Sequence, residues 1–127
     1  MSEPIIYIDR SNIREGKLEE VKAALPRLVE FVDAHEPQLL AYGMYLDPEG
    51  MSMTVTAIHP DTTSLELHLA VGGQEFRRLA GLIDLRSIEV FGRPSDAALE
   101  DLQRKAAALG EGGTVTVHER VAGFFLR

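Results

Sequence analysis

The stretch HPDTTSLELHL, residues 59–69, places two histidines, an aspartate and a glutamate within eleven residues. Imidazoles exchange protons near neutral pH and carboxylates hold or accept them, so this cluster suits general acid–base chemistry or a metal ion. Its spacing separates the two. Thr63 and Glu66 stand three apart ahead of an apolar run, as in a capping box whose hydroxyl and carboxylate each satisfy a free helix-start amide. Asp61, after Pro60, fits a turn and a favourable charge at a helix start. If residues 64–71 are helical, each turns by about 100°, so Glu66 and His68 lie about 200° apart and cannot grip one ion. His59 and His68, nine residues apart across a strand end and a helix, match no metal-ligand spacing. We expect no metal site and no cofactor.

His68 differs from Glu66 in direction. It falls on the side of Leu65, Leu69 and Gly72 and should face a sheet, where it needs a hydrogen-bond partner such as Thr54 or Tyr42. One reading is a lock between helix and sheet. The other is a catalytic imidazole at the mouth of a cleft, with Gly72-Gly73 leaving room beside it. Around it the candidate substrate contacts are Tyr7 and Asp9, which share a face of the first strand, Asn12 in the helix-entry loop after that strand, Tyr42 and His59. His35 reads as a helix-end dipole partner and His118 as a surface or interface residue. No serine sits in a nucleophile elbow, and no glycine-rich loop follows a strand in a phosphate-binding pattern.

The elements that must position these groups follow from periodicity. IIYIDR, residues 5–10, is β-branched and apolar on both faces, a central strand. After Gly16, Leu18, Val21, Leu25, Leu28 and Val32 form a helical stripe, which Pro26 should kink and Pro37 should end by Glu36. LLAYGMYL, DPEG and MSMTVTAIH make a hairpin across residues 39–59. In it Met51, Met53, Val55, Ala57 and His59 share an oily face opposite a hydroxylated one. A helical region from Ser64 to Ile83, interrupted at Gly72-Gly73, precedes the strand RSIEVFG, residues 86–92. Ser95 or Asp96 caps a third helix with Leu99, Leu102, Ala106 and Leu109 on one stripe and Gly110 at its end. A last strand from Thr114 leads into Phe124-Phe125-Leu126, an oily terminus that should dock.

This order is α+β: a ferredoxin-like β-α-β-β-α-β with an appended α-β and an antiparallel sheet. We expect a single domain over residues 1–127, with a core at about 5–92 and an extension at about 95–127. Helices cover one sheet face, so apolar residues on the other favour a homodimer. Thirteen basic against twenty acidic residues give a net charge of −7, which opposes binding to nucleic acid or anionic lipid. Cysteine is absent, which removes disulfides and thiolate chemistry. No apolar run is long enough to span a membrane and MSEPIIYIDR has no export-signal pattern, so a cytoplasmic protein is expected.

REGKLEEVKAALPRLVEFV, LLAYGMYLDPEG, MTVTAIHPDTTSLELHL and QEF together resemble antibiotic-biosynthesis-monooxygenase-like domains of the dimeric α+β barrel superfamily. The resemblance implies a homodimer whose sheets form a barrel, a pocket between sheet and helices in each protomer, and His68 facing that cavity. It also implies cofactor-independent oxygenation of a planar aromatic, quinol-type metabolite, with His68 as proton shuttle and Asn12 or Tyr42 orienting an oxygen. A non-catalytic small-ligand-binding or dimerisation module stands as the alternative.

Overall fold

The computed structural model describes residues 3–125. Five strands and three helices follow the order β1 (Ile5–Ile13), α1 (Leu18–His35), β2 (Ala41–Leu46), β3 (Ser52–His59), α2 (Thr62–Phe76), β4 (Ile83–Phe91), α3 (Asp96–Leu109) and β5 (Thr114–His118). The sheet order is β2-β3-β1-β4-β5. The four ferredoxin-like strands pair antiparallel, and α3 carries the chain back so that β5 joins β4 in parallel, which makes the sheet mixed. Within one chain the sheet is open.

β1 sits at the centre and its alternation fixes what the site can contain. Ile5, Tyr7, Asp9, Ser11 and Ile13 are buried beneath the helices, while Arg10 and Asn12 are exposed on the other face. Pairing sets Asp9 between Val55 and Ile88, and Tyr7 between Ala57 and Val90. Between Arg10 and Ser11 the β1–β4 register slips by a bulge. That extra residue lets Leu85 and Ile88, three apart, both reach the core, which a regular strand forbids.

α1 runs as one helix through Pro26 and ends at Glu36, whose amide donates to the Val32 carbonyl at 2.9 Å. The hairpin turns at Asp47–Gly50. Gly50 N–H donates to Asp47 O at 2.9 Å, and the Asp47 side chain accepts from the amides of Met51 and Ser52. These bonds, the Ser52 amide first, hold the Asp47 carboxyl below its usual pKa. Met53, Val55, Ala57 and His59 are buried as expected, whereas Met51 lies outside β3 and is exposed.

α2 departs from the sequence reading in three ways. Asp61 caps it by accepting from Ser64 N at 2.8 Å, so the helix starts at Thr62 and no Thr63–Glu66 capping box forms. Glu66 instead accepts from Ser95 Oγ at 3.0 Å, and Thr62 Oγ1 accepts from Ser95 N, which ties α2 to the start of α3. Gly72-Gly73 does not interrupt the helix; a 3-10 turn at Arg77–Leu79 ends it, and Ile83 opens β4 rather than closing a helix.

Ser95 caps α3 through Ala98 N, and Ala98, Leu102, Ala106 and Leu109 form its buried stripe. Gly110 follows the helix, for a reason other than a left-handed cap. Its backbone is extended, and a Cβ there would collide with the Leu85 carbonyl, so only glycine admits this approach to β4. Phe125 lies under Arg120, with the guanidinium 5.4 Å from the ring, and Leu126 falls outside the described residues.

Candidate functional site

His68 points inward from α2, as its place on the helix requires, and is 1 % exposed. Its partner is neither Thr54 nor Tyr42. Glu36, at the end of α1, brings both carboxylate oxygens to Nδ1, at 2.7 and 2.8 Å. The Glu36 side chain is fully enclosed. Three rings close the remaining space around the imidazole: Phe76 at 5.0 Å, His59 at 5.4 Å and Tyr42 at 5.7 Å between centroids. The room expected from the double glycine is therefore taken. A Cβ on Gly72 would meet the Phe76 ring at 2.5 Å, so the missing side chain admits Phe76 against His68.

His59, the last residue of β3, is wholly buried and bonds Ser64 Oγ through Nδ1 at 2.8 Å. Its Nε2 has no partner among the described residues. Burial first, and then the nearby His68 and Lys105, lower its pKa to about 3, so the ring is neutral. Tyr42 is half-buried and its hydroxyl is held protonated by burial, with Asp9 and Glu36 adding to the effect.

The second group is built on β1. Tyr7 donates to Asp9 Oδ2 at 2.5 Å, and Lys105 from α3 donates to Tyr7 Oη at 2.8 Å and reaches Asp9 Oδ2 at 3.4 Å. Burial, and then the Asp9 carboxylate, keep the Tyr7 hydroxyl far above its ordinary pKa. Asp9 is 3 % exposed, not the solvated strand-end acid that its type suggests. Lys105 Nζ lies 4.6 Å from the Phe76 ring centroid and 5.0 Å from that of Tyr7, within cation–π range.

The structure thus brings together Tyr7, Asp9, Tyr42, His59 and His68, and adds Glu36 and Lys105. Asn12 stays apart: it lies within β1, not in the following loop, and is exposed on the opposite sheet face. Lys105 carried a signal in the sequence, because it occupies the i+3 position of the stripe Leu102, Ala106, Leu109 and so falls on the buried face of its helix. Glu36 carried none. An acid beside Pro37 at a helix end reads as a terminus, and its burial depends on where α2 lands.

Three spaces border the cluster. One of about 380 Å³ lies between α2 and α3, with Phe76 and Lys105 in its wall and the exposed Arg77 and Arg104 at its rim. One of about 240 Å³ lies between α1 and β2 and touches Glu36 and Tyr42. A void of about 20 Å³ among Asp9, Tyr42, Phe76 and Lys105 holds no more than a water. His68 lines none of them. Asp9 is engaged by Tyr7 and Lys105, and Glu36 by His68; among the described residues no group of three His, Cys, Asp or Glu is placed to hold a metal.

No helix among the described residues is long and apolar enough to cross a membrane. No family model and no curated protein matches the chain. Solved structures do. MupZ from Pseudomonas fluorescens superimposes with a TM-score of 0.75 at 21 % identity, over 98 % of this chain and 95 % of its own. SnoaB, a cofactor-independent oxygenase from Streptomyces nogalater, gives 0.61 at 16 %, over 74 % and 96 %. A protein from Bacteroides thetaiotaomicron assigned only provisionally as an antibiotic biosynthesis monooxygenase gives 0.57 at 20 %, over 65 % and 85 %. The match to MupZ takes in α3 and β5, and with them Lys105. At these identities the likeness is one of architecture: the chain has the ferredoxin-like α+β fold of the antibiotic-biosynthesis-monooxygenase-like proteins.

Proposed function

We propose that the chain is a cofactor-independent, oxygenase-like enzyme that binds a planar aromatic, quinol-type metabolite between α2 and α3 and begins by taking a proton from it. The observation that carries this reading is Lys105, which lines a cavity of about 380 Å³ while bonding Tyr7 and Asp9 behind it. That volume suits a small organic ligand. A substrate hydroxyl beside Lys105 passes its proton along the chain of donors: Tyr7 gives its proton to the Asp9 carboxylate, Lys105 gives one to Tyr7, and Lys105 takes the substrate's, which leaves an ammonium beside the new phenolate. The electron-rich phenolate then reduces dioxygen. A ring C–H conjugated with the phenolate is replaced by a C–O bond and the ring ends as a quinone, with one oxygen atom of dioxygen entering the product and the other leaving as water, so no external reductant is consumed. His68 takes part as proton shuttle only where Phe76 swings aside. The likeness to SnoaB supports the reaction class.

A non-catalytic ligand-binding or dimerisation module is favoured by a different observation, the closure of His68 behind Phe76, His59 and Tyr42. Oxygen uptake with a panel of quinols decides between the two. The wild type should consume oxygen, and Lys105→Met and Tyr7→Phe should lower the rate by about 100-fold or more, as for loss of acid–base assistance. Equal rates in wild type and Lys105→Met remove the unit from the reaction. Binding seen by thermal shift without uptake for any quinol leaves the module. In this proposal the working unit is a homodimer joined through the open sheet face, where Ile6, Ile8, Ile58 and Phe91 are half-buried in one chain. Light scattering on the eluting protein should give the mass of two chains, and Ile8→Arg should give one; a monomeric wild type ends that part of the reading.

A further inference from the structure

We infer that the α2–α3 cavity selects ligands bearing a carboxylate, so that the substrate class is an aromatic carboxylic acid; this rests on reading that cavity as the binding site. The argument is one of charge and shape. Leu69, Ala70, Phe76, Ala108 and Leu109 offer an apolar wall, and Arg77, Asp101, Arg104 and Lys105 supply the charges. Asp101 is engaged by Arg104 at 2.5 Å, and Asp9 lies 3.4 Å from Lys105. The guanidinium of Arg77 has no ion pair or hydrogen bond among the described residues and is the uncompensated charge of the lining. Lys105 also has a bond to spare. Its ammonium carries three N–H donors, of which Tyr7 Oη and Asp9 Oδ2 take two.

A cationic rim over an apolar wall is unexpected on a chain of net charge −7, where the general field repels anions. Only a ligand that couples an oily body to an anionic group uses both parts. A guanidinium fork matches a planar carboxylate in two parallel bonds, which leaves the spare donor of Lys105 to the substrate hydroxyl. Neutral quinols would fill the wall and leave the rim unused. Gly73 marks the depth of the site, since a Cβ built there meets nothing within 4 Å and any larger side chain enters the cavity.

The test is calorimetric titration with anthraquinone-2-carboxylate and with its carboxamide, which has the same shape and no charge. Wild type should bind the carboxylate about 10-fold or more tightly than the amide. Arg77→Gln, at an exposed position that leaves the fold intact, should reduce that preference to near unity, and Gly73→Leu should weaken both probes together. Equal affinities in wild type, or a preference that Arg77→Gln does not change, overturn the carboxylate inference and leave the cavity as a site. Failure of both probes to bind wild type overturns the cavity as well, while oxygen uptake tests the chemistry separately.

Discussion

Two acid–base pairs have the Phe76 ring as a common neighbour, and they differ in access rather than in kind. On one side Glu36 meets His68 with both side chains out of contact with solvent. On the other Asp9 meets Lys105, whose side chain keeps 13 % of its exposure and lines a cavity of about 380 Å³. Each joins an acid to a nitrogen base from a different element, by bonds of 2.7 and 2.8 Å in the first and, in the second, by a 3.4 Å contact that the 2.8 Å bond from Lys105 to Tyr7 holds in place. A residue type capable of chemistry is therefore a weak guide to a site. The imidazole that stands out in the sequence is on the sealed side, and the lysine that does not stand out is on the open one.

The largest expected effect breaks the sealed pair. Removing either partner leaves a buried polar group without its mate, so Glu36→Ala and His68→Ala should each lower stability by about 3–5 kcal/mol in urea unfolding. Replacing both, as Glu36→Leu with His68→Phe, should lose less than either single change, because no orphan remains. Lys105→Met, which leaves Asp9 its bond from Tyr7, should lose about 1–2 kcal/mol. A Glu36 variant that loses no more than the Lys105 variant would show that the two sides are equally solvated and dissolve the contrast.

What the sequence revealed follows the same division between local and long-range causes. The hairpin, the α1 stripe and the end of α1 at Glu36 are set by residues a few positions apart, and the chain builds them close to that reading, with Leu39, Leu40 and Met51 left outside the strands. The inward turn of His68 is likewise a matter of helix geometry. Its partner is 32 residues away, and no periodicity reports a contact of that range. The α2 start escapes the sequence reading because Asp61 and Thr63 are both good caps, and Asp61 reaches the Ser64 amide first. Asn12 escapes it because β1 runs three residues past the apolar stretch that defines it, held by pairs with Ser52 and Asp84. Lys105 lies in plain view on a buried stripe, but a lysine is ordinarily assigned to the solvated face.

Acid should sharpen the comparison, because His59 packs against the sealed side. Unfolded, its imidazole takes a proton near pH 6.5; folded, not until about pH 3. The native state therefore binds fewer protons in that window, and the stability that His59 contributes above pH 6.5 is lost as pH falls. The loss is at most about 1.4 kcal/mol per pH unit. Unfolding followed from pH 7 to pH 5 should show this slope added to that of the carboxylates. His59→Gln, which retains a polar contact for Ser64, should remove it. An identical slope in the two proteins would mean that His59 takes up its proton in the folded state as readily as in the unfolded one.

The smallest effects come from two neighbours that face the two sides. Gly73 borders the open cavity and an added Cβ would meet nothing within 4 Å, so Gly73→Ala removes unfolded-state freedom and improves helix propensity without a clash. It should stabilise the chain by about 0.5–1 kcal/mol. Gly72 carries the same propensity penalty, yet a Cβ there meets the Phe76 ring at 2.5 Å. Gly72→Ala must push that ring off its place 5.0 Å from His68, so the propensity gain is offset by lost packing and the variant should be no more stable than wild type. It should also make the His68 ring protons exchange-broadened in NMR spectra, since the ring packed against His68 is then loosened. If both alanines stabilised equally and the His68 signals did not change, Phe76 would not be the ring that fixes His68 in place.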